Sequence, residues 1–296
     1  MSTIETAGRI VVGTDLSHRA DRAVDWAAHR ASLDGTPLLL VVSLPEVPIP
    51  RRARLFSAMQ EGDYPAALHE RAEHRLTEER QRVLAAQPGL AVETAIVAGK
   101  PAAFLAAASA DAALVVIGAR GHTAPARVRV LGGTADAVAS HAHGPVAVVT
   151  ELSDPVLDGP VVVGVDDSEQ ARAAIRFAVE EAALRGVRLI GLHSFDPTPM
   201  VAGAGPWPLM AVDVDPQLEA FVRETMAPAL ESHPEVAFEV RVGQARASAA
   251  LVEASQGASL LVVGSRGRGG FAGLVLGSTS KEVLRDAHCP VVVVRH

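Results

Sequence analysis

The sequence is short of cysteines, aromatic residues and positive charge, and each shortage narrows the class of protein. Its single cysteine, Cys289, cannot form an internal disulfide, which fits a reducing compartment and a cytoplasmic protein. Aromatic residues make up 3 % of the chain and hydrophobic residues 49 %, so the core must consist of Ala, Val and Leu. Because the formal net charge is −7, we expect neither a nucleic-acid partner nor an acidic membrane partner.

Long hydrophobic runs are also scarce. The N-terminal residues Met1–Gly8 are polar and contain no apolar signal core. The stretch Ala102–Ala119 is apolar, but it contains Asp111 and divides into a short helix and a strand. A membrane span is therefore not expected there.

The chain contains one internal repeat. Three pairs of segments match, at offsets of 151, 146 and 145 residues: Val11–Ser17 with Val162–Ser168, Val115–Gly121 with Leu261–Gly267, and His143–Val149 with His288–Val294. A repeat of this length indicates a duplicated domain, because solenoid units are much shorter. The predicted domains are residues 1–152 and 153–296, joined at a stretch rich in Asp, Pro and Gly, Glu151–Pro160.

Each copy alternates short apolar strands with helices. The strands predicted in the first copy are Ile10–Asp15, Leu38–Ser43, Val92–Val97, Leu114–Gly118 and Val146–Val149. Ser17 is placed to cap the first helix, which carries a one-sided apolar stripe at helical spacing. This alternation predicts an α/β fold of two tandem doubly wound domains, each with a five-stranded parallel sheet and helices on both faces.

A glycine-rich loop follows the fourth strand of the second copy. It spans Gly264–Ser278 and joins the apolar run Leu260–Val263 to a predicted helix. Glycines let a backbone approach an anion closely, and the free N–H groups of a helix start favour negative charge. Arg266 and Arg268 add positive charge, so the loop predicts a phosphate site.

The helix after this loop has two candidate N-caps. Thr279 and Glu282 have the spacing of a capping box, and Ser278 is the alternative N-cap. Either arrangement would begin the helix at the loop, with its first N–H groups facing the ligand.

An aspartate follows the first strand of each copy, Asp15 and Asp166. In doubly wound sheets, ligands lie beyond the carboxyl ends of the strands, where the strand order reverses. If strands one and four are neighbours, the aspartate and the glycine loop converge. The carboxylate would accept hydrogen bonds from a ribose or base, and the loop would hold the phosphates. Each aspartate could instead cap the next helix, a role compatible with ligand binding.

With these features the second copy resembles a universal stress protein domain of the ATP-binding type. That family's signature is Gly, two residues, Gly, nine residues, then Gly-Ser or Gly-Thr. Four residues match it with the full spacing: Gly264, Gly267, Gly277 and Ser278. The resemblance spans the whole chain as a tandem pair and implies that ATP, alone or with Mg²⁺, is the ligand. Asp166 matches the family's aspartate, and Ser194 matches its base-contacting backbone position.

The first copy departs from this pattern. Its corresponding residues are Asp15, Ser43, Gly118, Gly121, Gly132, Gly133 and Thr134. Ten residues rather than nine separate Gly121 from Gly132, and the loop has lost the glycines of Arg268–Gly273 and gained Pro125. Because proline lacks a donor N–H, the first copy is either a second ATP site or a degenerate structural copy.

The sequence favours one of three functional classes. The resemblance implies an ATP-binding stress-response or growth regulator that acts through nucleotide-dependent conformation and partner binding. Efficient catalysis is not expected, because no base, nucleophile and leaving-group constellation stands out. A slow Mg-dependent ATPase is the alternative, although the Gly-x4-Gly-Lys-Ser/Thr motif is absent. A dinucleotide oxidoreductase is disfavoured, because strand one ends in Gly13-Thr14-Asp15 rather than in its glycine fingerprint.

Several polar residues have simpler interpretations. His141 and His143 lack a third ligand-rich cluster nearby, so we expect no metal there. Cys289 is expected to be a buried structural thiol, and His193 a packing residue at a strand end. The Pro-rich loops Pro45–Arg54 and Phe195–Pro216 could be lids, partner surfaces or simply long loops.

The fifth strands of the two copies, Val146–Val149 and Val291–Val294, would be apolar sheet edges. Such edges normally need cover. Universal stress proteins generally pair domains through this strand, so the resemblance implies that the two strands pair within the chain. It also allows a homodimer.

Overall fold

The computed structural model describes residues 4–45, 63–121, 130–150, 156–196, 216–267 and 275–295. The first domain contains β1 Ile10–Gly13, α1 His18–Asp34, β2 Leu38–Leu44, α2 Asp63–Ala86, β3 Val92–Ala98, α3 Pro101–Ala108, β4 Leu114–Gly118, α4 Gly133–His141 and β5 Val146–Val149. The second contains β6 Val161–Gly164, α5 Glu169–Arg185, β7 Leu189–Ser194, α6 Pro216–Leu230, β8 Phe238–Gly243, α7 Ala247–Ala254, β9 Leu260–Gly264, α8 Ser278–Asp286 and β10 Val291–Val294. The predicted α/β alternation of both copies is confirmed.

All ten strands form one sheet in the order β3-β2-β1-β4-β5-β10-β9-β6-β7-β8. Each domain contributes five parallel strands, as predicted, and the two halves meet where β5 pairs antiparallel with β10. In that pairing Val292 lies opposite Ala147. Each fifth strand thus covers the apolar edge of the other, which removes two unpaired edges from the protein.

The inner strands of the sheet are buried on both faces, whereas the outer strands β3 and β8 are partly exposed, and one helical layer covers each face. The side chains of α1, α2, α5 and α6 belong to one core cluster, and those of α3, α4, α7 and α8 to the other. The predicted stripe of α1 is buried, and so is its counterpart in α5: Ala20, Ala23, Val24, Ala27 and Ala31, with Ala171, Ala174, Ile175, Ala178 and Ala182. Small side chains let the helices pack closely on the sheet.

The starts and ends of α1 and α5 follow from local sequence. Ser17 and Ser168 are the N-caps, and their side chains accept hydrogen bonds from the N–H groups of Ala20 and Ala171. Gly35 ends α1 in the left-handed conformation with φ 74°, as Gly186 does for α5 with φ 65°. The predicted cap at Ser17 is confirmed.

The residue after each fifth strand contacts the last helix of the other domain. The Thr150 hydroxyl donates to the Ala287 carbonyl at the end of α8, at 3.1 Å. The Arg295 Nη2 donates to the carbonyls of Ala139, at 3.2 Å, and Ser140 in the last turn of α4. Because the last carbonyls of a helix lack partners within it, these contacts anchor each helix on the neighbouring domain.

Candidate functional site

A cavity opens in each domain at the carboxyl ends of the first and fourth strands. These strands are neighbours in both domains, β1 with β4 and β6 with β9, as the sequence analysis required. The cavity has a volume of about 380 Å³ in the first domain and about 300 Å³ in the second. Both lie at the point where the strand order reverses, which is where such sheets bind ligands.

The two aspartates predicted at strand ends line these cavities and have the same geometry. The Asp15 Oδ1 accepts hydrogen bonds from the Ser17 N–H at 3.1 Å and the Ser17 hydroxyl at 2.6 Å. In the second domain the Asp166 Oδ1 accepts from the Ser168 N–H at 2.9 Å and from the Ser168 hydroxyl. One carboxylate oxygen therefore orients the helix cap, so the serine caps the helix and the aspartate supports it.

The other carboxylate oxygen faces the glycine loop. A β-carbon built on Gly267 would lie 2.5 Å from the Asp166 Oδ2, and one built on Gly121 would lie 3.1 Å from the Asp15 Oδ2. Only a residue without a side chain fits between the loop and the aspartate at Gly267. The predicted convergence of aspartate and loop is therefore present in both domains.

The loop returns to the strand end at the third glycine of the signature, Gly277 in the second domain and Gly132 in the first. The Gly277 N–H donates to the Ser265 carbonyl at 2.8 Å, and the Gly132 N–H donates to the Ala119 carbonyl at the same distance. A β-carbon on Gly132 would lie 3.1 Å from that carbonyl oxygen. The glycine permits this close return, which brings the start of the following helix to the cavity.

The predicted capping box at the start of α8 was wrong, and so was the alternative cap at Ser278. The N-cap is Gly277, in an extended conformation with φ −67° and ψ 153°, and Ser278 is already helical. Glu282 instead accepts hydrogen bonds from the Ser248 hydroxyl at 2.6 Å and the Arg246 Nη2 at 2.8 Å. The Ser248 hydrogen bond, together with the Arg246 charge, lowers the pKa of Glu282. Because Arg246 and Ser248 lie at the start of α7, the Glu282 carboxylate points to that helix and not to the start of α8.

The serine at the end of strand two supports the cavity wall through its hydroxyl. The Ser194 hydroxyl donates to the carbonyls of Ala245, at 2.7 Å, and Gly243, at 3.1 Å. The Ser43 hydroxyl donates to the Gly99 carbonyl at 2.7 Å. These side chains therefore connect the end of the second strand to the loop after the third strand in each domain.

Most predicted site residues line the cavities. In the first domain they are Asp15, Ser43, Gly118, Gly121, Gly132, Gly133 and Thr134. In the second they are Asp166, Ser194, Gly264, Arg266, Gly267 and Thr279. Gly277 and Ser278 lie at the start of α8 next to this wall. Arg268 lies outside the described residues, as do most of both Pro-rich loops and the stretch 151–155 of the predicted seam.

Each cavity also has an apolar part that was not predicted from the sequence. The unpredicted lining residues at matching positions include Val41, Pro101 and Leu105 in the first domain, and Leu192, Ala247 and Leu251 in the second. Leu105 and Leu251 come from α3 and α7, after the third strand. An apolar residue at these positions is also expected of any helix that packs on a sheet, so the residue type alone does not indicate a ligand site. The signal that relates Leu105 to Leu251 is the repeat offset of 146 residues.

The first site has one strained residue that the second lacks. Leu16, directly after Asp15, has φ 58°. Within the described ranges, no other residue except glycine has a positive φ. Its N–H donates to the Thr14 hydroxyl at 3.0 Å, and its carbonyl accepts from the Arg75 Nη2 at 3.1 Å. Such a conformation costs a leucine about 1–2 kcal/mol, so tertiary contacts must maintain it.

The other singled-out residues have contacts within the protein, and His193 also lines the second cavity. His193 is buried at the end of β7, where its Nδ1 lies 2.8 Å from the Val165 carbonyl and its ring contacts the edge of Phe221. Cys289 is fully buried, and burial raises the pKa of its thiol to about 12. His141 Nδ1 lies 2.9 Å from the Ala137 carbonyl. Within the described part of the chain, no cluster of three or more His, Cys, Asp or Glu residues has a metal-binding arrangement.

Together these features define a tandem α/β protein with a ligand crevice in each half. The chain belongs to the universal stress protein family, whose model matches residues 6–150 and 159–295. A universal stress protein of Mycolicibacterium smegmatis is 36 % identical to it over 97 % of this chain and 96 % of its own length. A second one, from Mycobacterium tuberculosis, is 33 % identical over 100 % of this chain and 97 % of its own.

A solved structure has the same fold over its full length. The universal stress protein from Archaeoglobus fulgidus matches with a TM-score of 0.71 and covers 98 % of this chain and 99 % of its own, at 21 % identity. This similarity shows that the fold extends over both halves of the chain. None of the helices in the described ranges combines the length and apolar character that a membrane crossing requires.

Proposed function

We propose that this protein is a cytoplasmic ATP-binding regulator of stress response or growth, which acts through nucleotide-dependent conformation and partner binding. The observation that carries the proposal is the meeting of Asp166 with Gly267 across the ends of β6 and β9. A carboxylate and a glycine loop at a strand switch point are what a nucleotide needs, because its sugar donates hydrogen bonds and its phosphates accept them.

The shape and chemistry of the second cavity support this ligand. Its volume is near the lower end of the roughly 300–1,000 Å³ usual for small-molecule pockets. Leu192, Leu251 and Val263 supply an apolar wall suited to a base, and Arg266 lies on the glycine-loop side. A β-carbon at Gly267 would fill the narrow space beside Asp166, so the backbone there is accessible to a ligand only because the residue is glycine.

Mg²⁺ bound with ATP would be held mainly by the nucleotide. Asp166 is the acidic residue among the described residues lining the second cavity, and its Oδ1 accepts from Ser168. One carboxylate already engaged in a turn is a weak metal site, whereas phosphate oxygens are good Mg²⁺ ligands. The same shortage of carboxylates favours binding without rapid turnover, since hydrolysis needs a group that positions water.

A regulatory role is supported by the position of the loops around the site. The glycine loop bonds back to its own strand through Gly277, and the Arg295 Nη2 donates to the Val275 carbonyl in the same loop. Arg295 also reaches the end of α4 in the first domain. Nucleotide occupancy that reorders this loop would therefore act on a contact between the domains.

The proposal is tested by the nucleotide that accompanies the protein. Purified without added ligand, wild-type protein and its Asp167→Asn variant should retain the same amount of adenine nucleotide, while Asp166→Asn should retain about one equivalent less per chain. Asp167 is the matched control, because it is the exposed neighbour outside the cavity lining. Wild-type protein that neither retains ATP nor binds it at submillimolar concentration would refute the proposal. ATP turnover by wild-type protein that is lost in Asp166→Asn would favour the ATPase alternative over a regulator.

A further inference from the structure

Two charged residues related by the internal repeat contact each other between the domains. The 151-residue offset relates Arg30 of α1 to Glu181 of α5, and it relates Asp34 to Arg185. The Arg30 Nε lies 2.5 Å from the Glu181 Oε1. Because equivalent positions of two related domains meet only on the axis between them, this ion pair marks the centre of the α1–α5 contact.

The pair is buried and belongs to a compact network. The Glu181 side chain is 2 % exposed, Arg185 3 % and Arg30 15 %. Arg185 donates to the second oxygen of Glu181 at 3.0 Å, and Arg30 donates to Asp34 at 2.9 Å. The Arg185 guanidinium also lies 5.6 Å from the ring centre of Trp26 in the first domain. Each helix therefore carries an internal i,i+4 ion pair, and the two are joined across the domain boundary.

The order of the charges is reversed between the two helices. Along α1 the sequence runs from Arg30 to Asp34, positive then negative, while along α5 it runs from Glu181 to Arg185, negative then positive. Two copies of α1 in this arrangement would bring Arg30 against Arg30, and two copies of α5 would bring Glu181 against Glu181. Like charges at a buried contact are strongly unfavourable, because neither can be neutralised by the other.

We propose that the α1–α5 contact selects the domain partner: the first domain accepts a second domain of this chain and rejects another first domain. The apolar β5–β10 pairing cannot distinguish the two kinds of domain, because both strands are short runs of Val and Ala and either could pair with a second copy of itself. The reversed charges supply it. Specificity of this kind requires unfavourable wrong pairings as well as a favourable right one, and the network provides both.

The test inverts the charges of one helix at a time in the full chain. Arg30→Glu with Asp34→Arg gives both helices the α5 order, and Glu181→Arg with Arg185→Glu gives both the α1 order. Each half-inverted chain should unfold roughly 5–10 °C below wild type. The fully inverted chain, with all four substitutions, should recover at least half of that loss. Arg241→Glu is the control, because it reverses the charge of one member of an exposed ion pair, Arg241–Glu239. It should change the midpoint of thermal unfolding little.

Mixing the two half-inverted chains tests the choice of partner directly. One chain carries an isotope label, the two are refolded together, and native mass spectrometry counts the mixed and the like-chain pairs. The ratio of mixed to like-chain pairs should be about ten times the ratio for random pairing, or more. In these mixed pairs every α1 again meets a complementary α5. Labelled and unlabelled wild-type chains should show no excess of mixed pairs.

Two results would overturn the proposal. One is a fully inverted chain no more stable than the half-inverted chains, and the other is random pairing in the mixture. If a half-inverted chain fails to fold alone, recovery of folded protein on co-refolding with its complement supports the proposal, and failure to recover it counts against it.

Discussion

Asp166 and Gly267 come so close that a β-carbon on the glycine would lie 2.5 Å from the Asp166 Oδ2. The two residues follow different strands, β6 and β9, which are separated by about a hundred residues of sequence but pair directly in the sheet. At the strand switch point, the aspartate that supports the helix cap is therefore in contact with the glycine loop.

Gly267→Ala should weaken ATP binding at the second site by more than about tenfold. The added methyl group has to displace either the Asp166 carboxylate or the loop backbone, because real β-carbons do not approach an oxygen this closely. Gly121→Ala should cost the first site less, since its β-carbon would lie 3.1 Å from the Asp15 Oδ2. Isothermal titration with ATP measures both, and equal losses would contradict this steric ranking.

Gly191→Ala should destabilise the second domain by about 1–3 kcal/mol without touching the ligand residues. Its β-carbon would meet the Met226 Sδ and would lie 3.1 Å from the Phe238 ring and 3.2 Å from Val222. Met226→Ala alone removes a fully buried side chain and is also destabilising. Because the new methyl group would occupy the space vacated by Met226, the double variant should lose less free energy of unfolding than the sum of the two. Strict additivity in denaturant titrations would show that the clash is absent.

Cys289 should make the protein less stable at high pH. Burial raises the pKa of its thiol from 9.0 to about 12 in the folded state. Between these two values the unfolded chain has lost the thiol proton while the folded chain keeps it, so the unfolded state binds fewer protons and the stability falls as pH rises. The slope approaches about 1.4 kcal/mol per pH unit. The Cys289→Ala variant should lack this contribution, and an identical pH slope in both proteins would contradict the burial of the thiol.

Arg295→Met should loosen the connection between the domains. The substitution removes hydrogen bonds to the last turn of α4 and to the Val275 carbonyl while keeping part of the apolar stem. We expect a loss of about 1–3 kcal/mol and faster amide exchange in the last turn of α4. Arg295→Lys separates the two contributions of the side chain, because lysine keeps the positive charge but lacks the planar set of guanidinium N–H donors. Full protection of α4 in Arg295→Met would show that its carbonyls do not depend on this contact.

The sequence was enough to predict the parts of the fold that depend on local pattern. The apolar stripe of α1, the cap at Ser17 and the boundaries of β4 and β5 follow from spacing and residue type alone. The repeat then placed both aspartates beside both glycine loops, because a parallel sheet gathers the carboxyl ends of its strands at one edge. These predictions needed no knowledge of side-chain contacts.

The errors and omissions came from tertiary contacts. Glu282 has the right spacing for a capping box, but Arg246 and Ser248 bind it from a segment more than thirty residues away. The Arg30–Glu181 pair was invisible because each residue alone looks like an exposed charge on a helix. Only the packing of α1 beside α5 shows that both face the domain boundary.

The most direct test of a nucleotide-binding role is a titration of ligand-free protein with ATP that measures stoichiometry and affinity together. We expect saturable binding at submillimolar ATP, with the second site lost in Asp166→Asn and kept in Asp167→Asn. Two equivalents per chain would show that the first site also binds, and one equivalent would make it a structural copy. Wild-type protein that binds no ATP, or Asp166→Asn protein that binds as many equivalents as wild type, would contradict a nucleotide site at Asp166.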